Sequence, residues 1–522
     1  MSSSHRFFRI FLAAGLAWLA LSAQAEDARF DILEYAVEGN TVLPALAIET
    51  AVYPHLGEAK SIADVELART ALEKTYHDHG YLTVFVDIPQ QEIASGGVRL
   101  RVSEGEVERL RISGSRHHGL SEIKRRVPQL AEGKVPYFPA VEKDLVAVNR
   151  SQDSKVTPVM RPGRSPGKVE VDLKVEDHLP LHGELELNDR YSANTSQTRF
   201  NAGVRYDNLW QRQHSISLNF QTAPENVEES KVFSGTYSMP LQSGNYLAGY
   251  AVFSDSDVSA VGDVNSIGKG TILGLRYILP LRARPGYFHS VTLGLDYKDF
   301  DETIALLGAD SFNRPVSYLP FTVGYDGTLR ADSGGTTQFN LSANFSVRGL
   351  SNDEQEFSNK RLGAAPSYLY LRGDLKRTQP LPADWSLFAR ASGQLAGQPL
   401  ISNEQFTAGG ADSVRGYLEA NSLGDDGLSW GLELRAPPWG RKLTPALDEL
   451  VAYLFTEGAT LRVQDAAVGQ DDHFDLLSAG LGMRFKWRGG LSGTLDLAYP
   501  FQDAGSVLSG DGRAHFRLGY SW

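Results

Sequence analysis

Arg513-Ala514-His515-Phe516-Arg517-Leu518-Gly519-Tyr520-Ser521-Trp522 closes the chain and alternates over its whole length. Successive side chains of a strand point to opposite faces, so Ala514, Phe516, Leu518, Tyr520 and Trp522 share one face and Arg513, His515, Arg517, Gly519 and Ser521 the other. An apolar outer face over a polar inner one suits lipid outside and water inside. A soluble β-sandwich strand alternates in the same way. Its neighbours have to decide between the two.

Between Leu181 and this last strand the chain is a succession of alternating segments separated by Gly, Asp, Asn, Ser and Pro, sixteen with the last one included. Each strand with its connection takes roughly 21 residues, which suits spans of about 10 residues joined by turns. The 522 residues are 42% hydrophobic and include 51 glycines and 21 tyrosines. After residue 25 there is no uninterrupted apolar run of the roughly 18 residues that a spanning helix needs. The expected fold of 179–522 is therefore an all-β transmembrane barrel of about 16 antiparallel strands.

The N-terminus sets the compartment. His5, Arg6 and Arg9 precede an apolar run from Ile10 to Leu21, and Ala23-Gln24-Ala25 offers small residues for cleavage. This is the pattern of a secretory signal peptide, 1–25. The chain has no cysteine, which excludes a disulfide framework. A net charge of −12 argues against a nucleic-acid partner.

From 26 to 105 the pattern is strand, two helical stretches, then two strands. Phe30 to Val37 alternates and ends in the turn pair Gly39-Asn40. Pro44 to Tyr53 and Asp64 to His79 carry helical periodicity, and Tyr81 to Val86 and Gly97 to Val102 read as paired strands. Such a unit leaves a sheet edge that can accept an extended guest. Phe85, Val86, Val98 and Leu100 are the residues expected to form it. Segment 106–178 repeats the theme, with strands near Val107 to Ile112 and Val169 to Val175 and helices near 120–130 and 140–150.

A polar segment, 396–427, interrupts the barrel pattern, far longer than an ordinary connection. Within it lies Gly409-Gly410-Ala411-Asp412-Ser413-Val414-Arg415-Gly416-Tyr417. Its glycines permit tight turns, and an arginine held this way wants a fixed carboxylate or backbone carbonyls. The bland alternative is a surface loop with an incidental arginine.

That motif resembles the conserved loop of the Omp85 superfamily. Glu404-Gln405-Phe406, Gly424-Asp425-x-Gly427 and Asn208-Leu209 resemble its two-partner-secretion branch, and both front units resemble POTRA domains through Gly39-Asn40, Tyr76-x-x-x-Gly80-Tyr81, Glu104-Gly105 and Pro162-Gly163. The resemblance implies that the loop folds into the lumen, with Gly409, Gly410, Val414, Arg415, Gly416 and Tyr417 as its motif and Arg415 paired to an acidic residue of the barrel wall. The matching strand, Val451 to Gly458, supplies Glu457 where the family usually has aspartate, and Ala459 where glycine is usual. For Glu457 to face the lumen, Tyr453 and Phe455 must face it too. Phe516, Leu518, Tyr520 and Trp522 resemble the aromatic end that such barrels present to their assembly machinery. Relatives often carry an N-terminal plug helix. The first strand here starts too close to the expected cleavage site for one, so the 396–427 loop is expected to do most of the closing.

No H-E-x-x-H, G-x-S-x-G or P-loop is present, and the histidines, His117-His118 included, read as surface residues without ligand spacing. An enzyme, a metal and a cofactor are not expected. The resemblance implies a monomeric outer-membrane transporter of a Gram-negative bacterium, POTRA domains in the periplasm, exporting a co-encoded, β-helical secreted exoprotein. An Omp85-type assembly factor and a passive porin are the alternatives.

Overall fold

The alternation of the last strand continues around a closed antiparallel barrel in the computed structural model of the protein. The structure describes residues 29–522 apart from 94, 257–258, 262–263, 268, 306–310 and 351–352. The expected signal peptide, 1–25, lies outside the described residues. The chain divides into two compact units, Met1–Leu179 and Pro180–Trp522.

In the front unit, the first sheet runs in the order Glu34–Glu38, Gly97–Ser103, Phe85–Asp87, the first pair parallel and the second antiparallel. Val98, Leu100 and Val102 point to the core shared with helices Ala45–Val52 and Ile62–Asp78, and the exposed Arg99 and Arg101 point away. Ser61 and Asp64 form a capping box that starts the longer helix. At its other end the buried Tyr76 donates its hydroxyl proton to Asn40 Oδ1 at 2.7 Å, which ties the Gly39-Asn40 turn to the helix.

Two boundaries differ from the sequence reading. The alternating run 30–37 breaks at Leu33, because Leu33 and Glu34 both donate to the Gly96 carbonyl, at 2.8 and 3.2 Å, and the backbone steps sideways. Phe30–Ile32 pairs instead with Gly57–Lys60, a strand too short and polar to stand out. Of 81–86 only the last two residues enter the strand Phe85–Asp87.

A second sheet follows the same scheme, with Lys168–Asp177 between Glu106–Ser113 and Ser154–Pro162 and helices Leu120–Arg126 and Phe138–Val148 on one face. Strand Ser154–Pro162 was hidden by Pro158 and Pro162, which a sheet tolerates at an edge. His118 is not a surface residue: its side chain is 10% exposed and its Nδ1 lies 3.2 Å from Asp177.

The barrel has sixteen strands. Its eighth runs as Ser311–Tyr318 and Pro320–Arg330, and both parts pair with Tyr287–Ala305 in one unbroken register. Pro320, which has no N–H for the ladder, explains the interruption at Leu319. Leu341, Leu369, Leu454 and Leu481 stand exposed on the outer face, each more than half accessible. The inner face carries side chains such as Arg276, Asp296, Glu433, Glu457 and Asp496, all joined in ion pairs. Such a surface is stable only with hydrocarbon outside and a polar lumen inside. Among the described residues no helix is long and apolar enough to cross a membrane.

Strand Leu181–Asn188 closes the barrel against Arg513–Ser521 with pairs from Glu184↔Ser521 to Asn188↔Arg517. Gly183 and Trp522 add backbone bonds of 3.1 and 3.2 Å. A Cβ on Gly183 would lie 2.0 Å from the Trp522 indole, so the terminal ring sits on the glycine backbone. Trp522 also stacks on Tyr520, and with Leu518 and the partly covered Phe516 forms the outward face read from the sequence.

Candidate functional site

Strand Ser386–Ala396 and strand Asp426–Arg435 are neighbours in the barrel, and the segment between them turns inward. It is ordered by a hairpin of its own, Phe406–Ala408 against Ser422–Gly424, whose residues pack with Val414, Tyr417, Leu461 and Val507. The tip turns on Gly409, Gly410 and Gly416, at φ +105°, +104° and +97°, a region that β-carbon-bearing residues avoid. Space is closed as well: a Cβ on Gly409 would fall 2.5 Å from the Leu418 carbonyl oxygen, and one on Gly410 2.2 Å from Glu419 Oε2.

These turns aim Arg415 at the barrel wall. Its guanidinium meets Glu457 at 2.5 Å (Nη2–Oε1) and 3.0 Å (Nε–Oε2), and its backbone N–H donates to Glu457 Oε2 at 2.8 Å. Nη2 also reaches Glu433 at 3.0 Å and Nη1 reaches Asp496 at 3.2 Å. One arginine thus faces three carboxylates on three strands. The Phe455 ring lies under it, 3.5 Å from centroid to guanidinium carbon. Arg415 is 3% and Glu457 0% exposed. Tyr453 and Phe455 share the inward face with Glu457, and the Tyr453 hydroxyl donates to Asp496 at 2.6 Å.

Val414 and Tyr417 anchor the motif on either side. Both are fully buried, and the Tyr417 hydroxyl lies 2.9 Å from the Gln502 carbonyl and accepts from Leu477 N–H at 3.3 Å. Gly416 N–H donates to His515 Nε2 at 2.9 Å, while His515 Nδ1 lies 2.9 Å from Asp189. The motif is thereby tied to the strand pair that closes the barrel.

Sequence reading found the arginine, its glycines and Glu457, and missed much of what holds them. Arg390 donates to Glu457 Oε1 at 2.6 Å and to the carbonyls of Asp412 and Ser413, so Glu457 serves two arginines. Arg190 reaches Asp412 at 2.8 Å. Strand parity could have put Glu433, Asp496 and His515 on the inner wall. No sequence spacing could have brought them to one guanidinium.

The expected docking edge needs correction. Val98 and Leu100 lie on the central strand of the first sheet and are 0% exposed, so neither can receive a guest strand. Val86 is on an edge strand, but its side chain is buried, its N–H donates to Glu73 Oε2 at 3.1 Å and its carbonyl accepts from Arg69 at 3.5 Å. Helix side chains already fill that edge. Phe85 projects from it, 54% exposed. The opposite edge is Glu34–Glu38, and among the described residues no other strand pairs with its outer side.

The family model described as haemolysin secretion/activation protein ShlB/FhaC/HecB matches residues 167–485, and that of the ShlB-type POTRA domain matches 30–105. The outer membrane transporter CdiB of Dickeya dadantii is 23% identical over 402 residues, 74% of this chain and 68% of that protein. The heme/hemopexin transporter protein HuxB of Haemophilus influenzae is 21% identical over 390 residues, 72% of this chain. The match spans 66% of HuxB, just under two thirds of its length. Among solved structures, CdiB from Escherichia coli superposes with TM-score 0.64 at 19% identity over 96% of this chain and 92% of that one. BamA from Haemophilus ducreyi lacking POTRA domains 1–3 superposes with TM-score 0.55 at 16% identity over 94% and 100%. These two likenesses show the fold. With a family match over most of its length, a POTRA domain ahead of a closed 16-stranded barrel and the arginine loop seated in the lumen, the chain belongs to the haemolysin secretion/activation (ShlB/FhaC/HecB) family of outer-membrane transporters, a branch of the Omp85 superfamily.

Proposed function

We propose that this chain captures an extended segment of a co-encoded, β-helical exoprotein in the periplasm and passes it unfolded through the barrel lumen to the cell surface. The observation that carries the reading is the arginine loop itself, a long polar segment packed into the lumen, its tip held to the barrel wall by ion pairs beside a small apolar cluster. Ion pairs in a pore can be exchanged for water and for a passing chain, so this is a plug suited to displacement. Capture by strand addition is assigned to Glu34–Glu38, the sheet edge with whose outer side no other strand pairs among the described residues. No nucleotide motif is present in the sequence, so the drive is assigned to folding of the exported chain outside.

The test is secretion of the exoprotein into the medium by cells carrying wild type, a deletion of 29–105, or Arg415→Ala. Loss from the medium with the barrel still in the outer membrane is the expected result, and normal secretion by all three would refute the reading. A second reading, insertion of other barrels into the membrane, draws on the short seam: five residue pairs join the first and last strands, against eight or more between other neighbours. It is distinguished by lowered amounts of other outer-membrane barrels in the same cells.

A further inference from the structure

Arg361 belongs to the outer connection 347–367, yet its guanidinium is spent on other loops. Nη1 donates to Asp425 Oδ1 at 2.5 Å and to the Leu400 carbonyl at 2.7 Å. Nη2 donates to Asp425 Oδ2 at 2.8 Å and to the Gln464 carbonyl at 2.6 Å. Asp425 is 0% exposed and also accepts from the N–H groups of Leu400 (2.8 Å) and Gln464 (2.7 Å). One bidentate pair therefore joins three outer connections, 347–367, 396–427 and 463–472.

Just ahead of Arg361, the short helix Glu354–Lys360 drives Phe357 into the barrel mouth. Phe357 is 1% exposed and packs edge-on against Tyr318 at 5.4 Å, with Tyr368 at 6.4 Å. Beneath it, Glu404 of the lumen loop is bound by Lys298 (2.6 Å), Tyr318 (2.5 Å) and Tyr370 (2.7 Å). These three partners lie on strands Tyr287–Ala305, Ser311–Tyr318 and Tyr368–Pro380, whereas Arg415 bonds to Glu433, Glu457 and Asp496 on other strands.

We propose that Arg361 is a second positioning residue for the lumen loop, and that Phe357 and Glu404 form with it an outer closure of the pore, independent of the Arg415 anchor. The loop is then held at two places, its tip to the far wall and its base to the outer connections. Opening requires both to let go. A guanidinium suits this role because its planar fork makes all four bonds at once, whereas a lysine ammonium supplies at most three. The closure concerns the resting pore and holds whatever protein is carried.

The test uses the full-length protein in planar phospholipid bilayers, in potassium chloride and without any partner. Arg361→Ala and Phe357→Ala are expected to raise the time spent open by about tenfold or more, because a buried ion pair broken from one side, or a cavity left where a buried ring packed, weakens the state that contains it. Arg361→Lys is expected to fall between them and wild type, and it supplies the measurement if the alanine variant fails to fold. Arg348→Ala, in the same connection but 72% exposed, is expected to behave as wild type. Heat-dependent migration in gels reports whether each barrel is intact. Folded Arg361 and Phe357 variants that stay as closed as wild type, while Arg415→Ala opens, would overturn the proposal.

Discussion

Glu457 Oε1 accepts from Arg415 Nη2 at 2.5 Å and from Arg390 Nη2 at 2.6 Å, so one carboxylate oxygen joins the loop arginine to a second arginine on the neighbouring wall. Loss of either partner has unequal consequences. Arg415→Ala leaves Glu433, Glu457 and Asp496 facing one another and is expected to cost the loop about 3–5 kcal/mol. Glu457→Asp, one methylene shorter, is expected to lose much less. The measurement is protease sensitivity of 396–427 in membranes. Exchanging the charges, Arg415→Glu with Glu457→Arg, is not expected to restore the wild-type state: residue 415 would face Glu433 and Asp496, and residue 457 would face Arg390. Full recovery in the double variant would show that the network is weaker than the pair.

His515 Nε2 accepts the Gly416 N–H at 2.9 Å, and among the described residues that N–H has no other partner. His515→Phe is expected to strand that buried donor at about 1–3 kcal/mol. His515→Gln retains an acceptor and is expected to recover part of the loss. Hydrogen exchange at Gly416 separates the two variants.

Gly409→Ala and Gly410→Ala put a β-carbon where φ is positive and the space already filled. Each is expected to cost at least ~1–3 kcal/mol in the loop tip. At Gly416 the nearest atom would be 3.4 Å away, so Gly416→Ala is strained by its φ alone and is expected to be the mildest of the three. Thermal unfolding of the purified barrel ranks them.

Asp177 gives the front unit an acid dependence. Burial acts to raise its carboxyl, but the N–H groups of His117 and Arg116, with the side chains of His118 and Ser115, outweigh burial and hold it at about 2. The folded value is depressed, so the stabilisation is present above the ordinary value of 3.8 and is lost as pH falls toward 2. The full effect is about 2 kcal/mol. Urea unfolding of residues 29–179, which carry two cores of their own, is expected to show this loss between pH 4 and about 2 in wild type and not in Asp177→Asn.

Strand alternation was legible from the chain because it is local: each barrel strand declares two faces, and lipid outside a polar lumen demands both. The arginine motif was legible for a similar reason, since glycines at 409, 410 and 416 can be read as turns without knowing what they approach. The capture edge was misplaced because residues 97–103 look like any half-buried strand. Which strand is central depends on pairing with 34–38, some sixty residues away. Strand Ser154–Pro162 and helix Glu354–Lys360 escaped because prolines in one and polar residues in the other masked elements that packing stabilises.

By itself, the sequence determined an alternating barrel of about sixteen strands and the α+β modules ahead of it, and its resemblance to a known family added the arginine loop with Glu457 as the expected partner. Those rest on periodicity and on short motifs, which each segment carries alone. Only the tertiary structure decided that Glu457 serves two arginines, that Asp425 is held by Arg361 of another loop, and which sheet edge stays open. Closing the barrel places residues hundreds of positions apart on one inner wall, and a buried charge takes as partner whatever that closure brings within 3 Å.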